Sequence, residues 1–178
     1  MARSRYGFLD QDICPYFITT TTVNWIPLLS NPEIASILLD SLRFLIESQR
    51  ITLFAYVVME NHMHLIAASA DLSREIAKFK SFTARKSIDY YLERKKRFIL
   101  DQLAFHKLKH KKDRPYQFWQ EGSHPQRMEN AAMMKQKVDY IHANPVRRGY
   151  VGFPEHWRYS SAGSYVGMQS LVPVSMDW

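Results

Sequence analysis

The chain has 178 residues, a net charge of +7 and 46% hydrophobic residues, with ten Tyr and ten Phe. This length and composition predict one compact domain over residues 1–178 and exclude a disordered chain. A single cysteine, Cys14, excludes an intramolecular disulfide and argues against redox chemistry. The start, MARSRYGFLDQD, lacks the apolar segment of a secretory signal, and the longest apolar stretch, Leu53 to Met59, is too short to span a bilayer. We therefore expect a soluble, cytoplasmic protein without a membrane partner.

The first predicted elements are a strand and a helix. β-Branched and aromatic residues from Tyr16 to Trp25 predict the strand. Asn31-Pro32-Glu33 is a favourable helix start, with a capping residue, a proline at the first helical position and an acid in the first turn. Apolar residues then recur at helical spacing, so the helix is predicted to reach about Gln49.

Two further strands are predicted next. Ile51 to Met59 is a strand apolar enough to be central in its sheet. Glu60-Asn61 is predicted to form a tight turn, and His62 to Ser69 returns as the third strand. The short turn predicts that these two strands pair in antiparallel fashion.

A long helix, a basic loop and a fourth strand follow. Asp71 and Ser73 are candidate caps for a helix that continues to about Lys96. Residues 97–115 are basic and poorly periodic, which predicts a loop, and Tyr116 to Trp119 is predicted as a strand.

The last predicted helix covers about Glu129 to Ala143. Pro145 is expected to end it, because the residue before a proline is pushed out of helical geometry. The tail, residues 146–178, contains turn residues and no strong period. The order β-α-β-β-α-β predicts an α+β fold with a ferredoxin-like antiparallel sheet, helices on one face and an additional C-terminal helix, with a core at about 16–167.

The positive charge is concentrated between Lys78 and Arg114. This segment has thirteen Lys or Arg and four Asp or Glu, a net charge of +9, so the rest of the chain is slightly acidic. Clustered charge of this kind is typical of a polyanion-binding protein. Nucleic acid is favoured over a membrane surface, because the stretch is not a clean amphipathic membrane helix. The alternative is a solvated helix face followed by a basic loop.

His62-Met63-His64 lies in the predicted third strand. Side chains alternate between faces along a strand, so the two imidazoles share one face and Met63 points to the other, into the core. Two adjacent imidazoles are a candidate two-ligand metal site with room for substrate oxygens. The alternative is a pair of unrelated surface histidines.

The second candidate feature is Tyr140 on the last helix. Three apolar residues at i, i+4 and i+7 spacing predict the buried stripe of this helix: Met134, Val138 and Ile141. Tyr140 lies about 200° from Val138, so it is expected to face away from that core, with Gln136 and Asn144 one turn away on its own face. A phenol nucleophile, a carboxamide oxygen as a further metal ligand and Lys137 near a phosphate suit phosphoryl transfer. The alternative is an ordinary surface tyrosine.

Read together, the two features resemble a known family. The segments FAYVVMENHMHLIAA and FWQEGSHPQRMENAAMMKQKVDYIHANPVRRGYVGFPEHWRYSSAGSYVG are similar to the single-tyrosine HUH transposases, above all to the branch associated with repetitive extragenic palindromes (REP), which is related to small insertion-sequence transposases. In this family the strand carries Met-Pro-Asn-His-hydrophobic-His and the helix carries Tyr-Ile-His-x-Asn-Pro-Val. His62 and His64 match the metal pair, Tyr140 the nucleophile and Asn144 the third ligand. The resemblance covers residues 16–167.

The resemblance implies metal-dependent cleavage and transfer of single-stranded DNA at hairpins or palindromes. Mg²⁺ or Mn²⁺ is the implied cofactor, and Tyr140 would form a 5′-phosphotyrosine intermediate without any nucleotide cofactor, which agrees with the absence of a P-loop sequence. Arg147 and Arg148 are predicted to contact the backbone near the cut. The candidate DNA-binding residues are Lys78, Arg85, Lys86, Lys95, Lys96, Lys137, Arg147 and Arg148. The aromatic residues expected to be exposed for base stacking are Tyr116, Trp119 and Trp157.

One position departs from the family pattern, and several questions stay open. Glu60 stands where the family usually has proline; either this changes only the turn, or the carboxylate near the histidines touches the metal or repels the DNA backbone. One alternative is a catalytically inactive regulatory protein that binds hairpin DNA; another is a small RNA-binding domain on a similar sheet. The chain would act as a monomer or as a homodimer with exchanged tyrosine helices, at the nucleoid of a prokaryotic cell. His142 is expected to be structural.

Overall fold

The computed structural model describes residues 13–178. Residues 1–12, in which we expect no secretory signal, lie outside the described residues. Its strands are β1 (Tyr16–Thr21), β2 (Thr52–Val58), β3 (His62–Ala68) and β4 (Gln126–Arg127). Its α-helices are α1 (Pro32–Glu47), α2 (Leu72–Glu93), α3 (Arg97–Phe105), α4 (Ala131–Arg147) and α5 (Ala162–Tyr165). None of the helices in residues 13–178 has the length and apolar character that a bilayer crossing requires.

The four strands form one antiparallel sheet in the order β2-β3-β1-β4. With α1 between β1 and β2 and α2 before β4, this is the predicted ferredoxin-like α+β arrangement. The prediction that β2 is central is wrong, since β2 lies at an edge. The C-terminal tail covers that edge: Val58 N donates to Tyr159 O at 2.8 Å and Ser161 N to Tyr56 O at 3.0 Å. Because the tail buries this edge, β2 is continuously apolar although it is an edge strand.

The sheet packs helices on both faces. Met63 and Leu65 of β3 lie in the larger core, which α1 and α2 cover. Ile66 lies in a smaller core on the opposite face, which also contains Val138 and Ile141 of α4. The period-2 alternation of β3 therefore divides its side chains between two cores.

Both long helices on the larger core begin where the capping residues predict. The side chain of Asn31 accepts from Glu33 N at 3.0 Å, and that of Asp71 accepts from Arg74 N at 3.1 Å. α2 ends at Glu93, before the predicted Lys96, because Lys95 has a positive φ of 53° and turns the chain into α3.

The prediction of a loop over residues 97–115 is wrong for its first part, which is α3. Leu100 and Leu103, three residues apart, are buried against the larger core. The lysines and arginines around them mask this short apolar stripe in the sequence.

The predicted strand Tyr116 to Trp119 is also wrong. Trp119 forms only an isolated bridge to Thr22, and β4 is instead Gln126–Arg127, paired with the start of β1. The Gln117 side chain bonds the backbone of Trp119 at 2.9 Å, and Phe118 O accepts from Val23 N, beyond the end of β1. The segment therefore meets the chain just after β1 through a single bridge and forms no strand of its own.

α4 begins at Ala131, after the Asn130 side chain that accepts from Met133 N at 2.9 Å, and it continues to Arg147. The prediction that Pro145 ends this helix is wrong. Pro145 is buried, and Asn144 O still accepts from Arg148 N at 3.1 Å. Burial of the proline outweighs the local preference of the preceding residue for an extended conformation.

Candidate active site

Two histidines of β3 form the floor of the site. His62 and His64 are each 6% exposed, and their ring centroids are 4.8 Å apart on the α4 face of the sheet. Met63 between them is fully buried on the opposite face. This is the arrangement that strand alternation predicts, and the low exposure argues against two unrelated surface histidines.

Hydrogen bonds determine which nitrogen of His62 carries its lone pair. Asn61 Nδ2 donates to Trp25 O at 3.2 Å, so Asn61 Oδ1 faces His62 Nδ1, which is 2.7 Å away. An amide oxygen only accepts, so Nδ1 of His62 carries the proton. Its Nε2 is therefore unprotonated and available as a ligand.

His64 is held from the neighbouring strand. The register of β1 and β3 places Thr19 opposite His64, and Thr19 Oγ1 lies 2.7 Å from His64 Nδ1. The imidazole also stacks on the ring of Phe17, with centroids 5.2 Å apart. Because Nδ1 of His64 faces Thr19, the Nε2 atom lies on the other side of the ring, away from Thr19.

Both imidazoles are neutral at physiological pH. Burial lowers the pKa of His62, although the Glu60 carboxylate opposes this effect. Burial lowers the pKa of His64 to about 3, with smaller contributions from His62 and the Lys137 ammonium. A neutral imidazole is the form that binds a metal ion.

Tyr140 lies beside the histidines of its own chain. Its ring centroid is 5.4 Å from that of His64 and 6.0 Å from that of Phe17. The buried stripe of α4 is as predicted, but the expectation that Tyr140 faces away from the core is wrong, since its side chain is half-buried. Tyr140 is about 200° from Val138 but only about 100° from Ile141, so it lies on the flank of the stripe.

Asn144 lies one turn after Tyr140 on α4. Its Nδ2 donates to Tyr140 O at 2.9 Å, and its Oδ1 forms no hydrogen bond with residues 13–178. The half-buried amide is thus held by the backbone of α4, with its oxygen free. Two neutral imidazoles and an amide oxygen suit a divalent cation in their donor chemistry.

Glu60 does not complete a cluster of acidic or imidazole ligands. No group of three or more His, Cys, Asp or Glu side chains in residues 13–178 is arranged to hold a metal ion. One carboxylate oxygen of Glu60 lies 3.6 Å from Nη1 of Arg148, directly after α4. The carboxylate that departs from the family pattern is therefore directed at a cation predicted to bind DNA.

The predicted DNA-binding residues fall into two groups. Lys137 Nζ lies 4.8 Å from the Phe17 ring centroid, Arg147 lies 5.0 Å from that of Tyr140, and Arg148 contacts Glu60. The other five lie on α2 or directly after it, on the opposite face of the sheet: Lys78, Arg85, Lys86, Lys95 and Lys96. The structure thus brings two of the eight, Lys137 and Arg147, to the ring of Tyr140 and places Arg148 at Glu60.

One residue of the second group lies at a cleft of about 650 Å³ between α2 and residues 111–122. Arg85 and Tyr116 line this cleft. Arg85 forms no ion pair or hydrogen bond with residues 13–178, whereas Lys78 pairs with Glu75 at 3.3 Å. The charge on this face is partly neutralised by its own acids.

Two tryptophans that we expect to be exposed for base stacking, Trp119 and Trp157, are buried or half-buried. Trp119 is only 5% exposed and donates to Thr83 Oγ1 at 3.1 Å, so the expectation that it stacks on a base is wrong. Trp157 is half-buried, and its indole donates to Val58 O at 3.0 Å. Sequence reasoning missed Trp25, which is 56% exposed and has its ring centroid 6.3 Å from that of His62. Asn24, a turn-forming residue inside the supposed strand, is the signal that would have separated Trp25 from β1.

His142 connects α4 to the edge of the sheet. It is buried, and its Nε2 lies 2.9 Å from Ser161 Oγ. The same hydroxyl accepts from Tyr56 N at 3.0 Å, so the contact reaches β2. Burial lowers the pKa of His142 to about 4. This geometry agrees with a structural role.

Comparisons with known proteins found similarity in fold but no match to a family model or a curated sequence. A solved structure of a REP-associated tyrosine transposase bound to a REP hairpin superposes with a TM-score of 0.69 at 20% identity, covering 97% of this chain and 92% of that one. A provisionally named transposase from Deinococcus radiodurans gives a TM-score of 0.46 at 19% identity over 79% of this chain and 95% of that one. The chain has the fold of the REP-associated tyrosine transposase.

Proposed function

We propose that this protein is a single-tyrosine transposase that cleaves and rejoins single-stranded DNA beside hairpins. The observation that carries the proposal is the contact between Tyr140 and His64, with His62 at 4.8 Å from His64 on the same sheet face. Ionisable groups with perturbed pKa values that lie together beside a potential nucleophile are characteristic of functional sites. The fold shared with a transposase adds support.

The residues that would hold a divalent cation are His62, His64 and Asn144. Both Nδ1 atoms are engaged by Asn61 and Thr19, which leaves the Nε2 atoms as ligands. A bound Mg²⁺ or Mn²⁺ would polarise the scissile phosphate and stabilise its developing negative charge. The weak affinity of Mg²⁺ for imidazole favours Mn²⁺ at this donor set.

Tyr140 is the nucleophile of the proposed reaction. Its phenol oxygen attacks the scissile phosphorus, the bond from phosphorus to the 3′ oxygen breaks, and the released 3′ oxygen takes up a proton. The product is a 5′-phosphotyrosine and a free 3′-hydroxyl. Attack by the 3′-hydroxyl of a second strand then breaks the phosphotyrosine bond and returns the proton to the phenol oxygen. One phosphoester is exchanged for another in each step, so no nucleotide cofactor is required.

Cations beside Tyr140 suit a DNA backbone. Lys137 and Arg147 lie over the rings of Phe17 and Tyr140, so their charges border the nucleophile. Such contacts hold the phosphates and contribute most of the salt-dependent affinity. The transposase that shares the fold is bound to a REP hairpin, which supports hairpin DNA as the substrate class.

The test is a covalent adduct between the protein and a labelled DNA hairpin with single-stranded flanks, with Mn²⁺ or Mg²⁺ present. We expect the wild type to form the adduct and Tyr140→Phe to lose it while retaining DNA affinity. Tyr90→Phe, on the opposite face of the sheet, is the matched control and should behave like the wild type. An adduct that persists in Tyr140→Phe would contradict the assignment.

The pair of Glu60 and Arg148 favours one alternative, a hairpin-binding regulator that does not cut DNA. The carboxylate neutralises a cation next to α4 and lies close enough to His62 to affect its pKa. This alternative predicts binding that weakens steeply with salt and no adduct with any divalent ion. Cleavage by the wild type would exclude it.

A further inference from the structure

Trp25 is the large aromatic side chain that projects beside the histidine pair. It is 56% exposed, and its ring meets that of His62 edge-on at 6.3 Å. Within residues 13–178 no other aromatic ring or cation contacts the indole. Trp119 and Trp157 differ, because each donates its indole N–H to the protein. Trp25 therefore offers a free aromatic face at the rim of the candidate active site.

The backbone at Trp25 is in a conformation that bulky residues rarely adopt. Asn24 has a φ of 49° and Trp25 a φ of 57°, both in the left-handed region. Asparagine tolerates this region, whereas a bulky tryptophan is strained there. Glycine would avoid the strain, so the position retains a tryptophan at a cost in stability. Strain of this kind is characteristic of positions where the side chain has a function.

Hydrogen bonds connect this turn to the histidine. Trp25 O accepts from Asn61 Nδ2, and Asn61 Oδ1 is the partner of His62 Nδ1. Thr22 Oγ1 donates to Ile26 O at 2.7 Å and closes the turn. The Asn61 side chain therefore holds the backbone of Trp25 and orients His62 at the same time.

We propose that Trp25 is a stacking platform for an unpaired base of the DNA strand whose phosphate lies at His62, His64 and Tyr140. An indole stacks on any base, because every base has a π-face, so the contact is tolerant of sequence. The base concerned belongs to the single-stranded flank and not to the paired stem, since a paired base is covered by its neighbours. This inference rests on the proposed function and adds to it a contact between the protein and a DNA base.

The test compares two DNAs in a fluorescence anisotropy titration. One is a hairpin with a single-stranded flank and the other is the same hairpin with a blunt end. Trp25→Ala should weaken binding of the flanked hairpin about 5- to 100-fold, the range expected for the loss of one base–aromatic stack, and leave the blunt hairpin unchanged. Trp25→Phe should retain most of the affinity, and Phe98→Ala, 75% exposed on α3, is the matched control.

Two further measurements keep the test independent of folding. Trp25→Gly keeps the positive φ without strain, so it should melt no lower than Trp25→Ala and still lose affinity for the flanked hairpin. In the wild type, 2-aminopurine placed at one flank position should be quenched on binding. Equal affinity of Trp25→Ala and wild type for the flanked hairpin, or no quenching at any flank position, would overturn the proposal. Failure of the wild type to bind either DNA would instead overturn the proposed function.

Discussion

The two faces of the sheet differ in what they bury. The face under α1 and α2 carries the larger apolar core, which includes Met63 and Leu65 of β3. The face under α4 buries His62 and His64 of the same strand. Burying an imidazole requires that it stay neutral and hydrogen-bonded, which gains less than burying a leucine. One face therefore contributes the larger apolar burial, whereas the other buries the histidines of the candidate site.

The largest expected effect is on DNA cleavage, when a histidine of the α4 face is replaced. Under the proposed function, His64→Ala should reduce cleavage of a flanked hairpin about 100- to 1,000-fold, because it removes one of the proposed ligands of the cation that would stabilise charge at the scissile phosphate. The loss of unfolding free energy should be smaller than for an apolar residue of the opposite face. Single-turnover cleavage and urea unfolding of the same preparation test both statements. Cleavage at the wild-type rate would contradict the role of this face.

Leu65→Ala, one residue further along β3, is the complementary change. Leu65 is fully buried in the larger core, so its truncation should lower the free energy of unfolding by about 3 kcal/mol. At a temperature where the variant is folded, its cleavage rate should be close to that of the wild type. A loss of cleavage without a loss of stability would show that the two faces are not separable.

A third prediction concerns the pH dependence of stability and His142, which connects α4 to Ser161. The folded-state pKa of His142 is lowered to about 4, below the ordinary 6.5, because burial penalises the charged form. Its contribution to stability is therefore complete above about pH 6.5 and declines as the unfolded chain takes up a proton, by about 3 kcal/mol at pH 4. His64 acts in the same direction, down to about pH 3.

The variant His142→Asn isolates this contribution. It retains a group able to bond Ser161 Oγ but has no proton to take up in this range. Unfolding free energies measured between pH 7.5 and pH 4.5 should therefore decline less steeply for the variant than for the wild type. Parallel pH profiles would show that His142 does not contribute to the decline.

The smallest expected effect concerns Glu60, at the border of the α4 face. Its contact with Arg148 is 3.6 Å long and half-exposed on the arginine side, so Glu60→Gln should change stability by less than about 1 kcal/mol. Freeing Arg148 for phosphate should tighten DNA binding, by about twofold to fivefold at low salt. Glu33→Gln at the start of α1 is a matched control for net charge. Equal affinities of the two variants would show that the Glu60 contact does not restrain Arg148.

Much of the site was predictable, because it depends on local geometry. Side-chain alternation along β3 follows from the extended backbone and needs no tertiary information, so the shared face of His62 and His64 was foreseeable. The same holds for the apolar stripe of α4, for the start of α1 at Asn31 and for the β-α-β-β-α-β order. The family resemblance predicts that Tyr140 lies with the histidines, and its ring centroid is 5.4 Å from that of His64.

Long-range packing decided the rest. Whether Trp119 is buried depends on its packing against α2, where its indole donates to Thr83, and no local pattern contains that information. The edge position of β2 and the passage of α4 through Pro145 likewise depend on burial by the C-terminal tail and the sheet. The sequence by itself thus determined which residues share a face of a strand or helix. Only the tertiary structure decided which faces meet, because burial energy is set by partners distant in the chain.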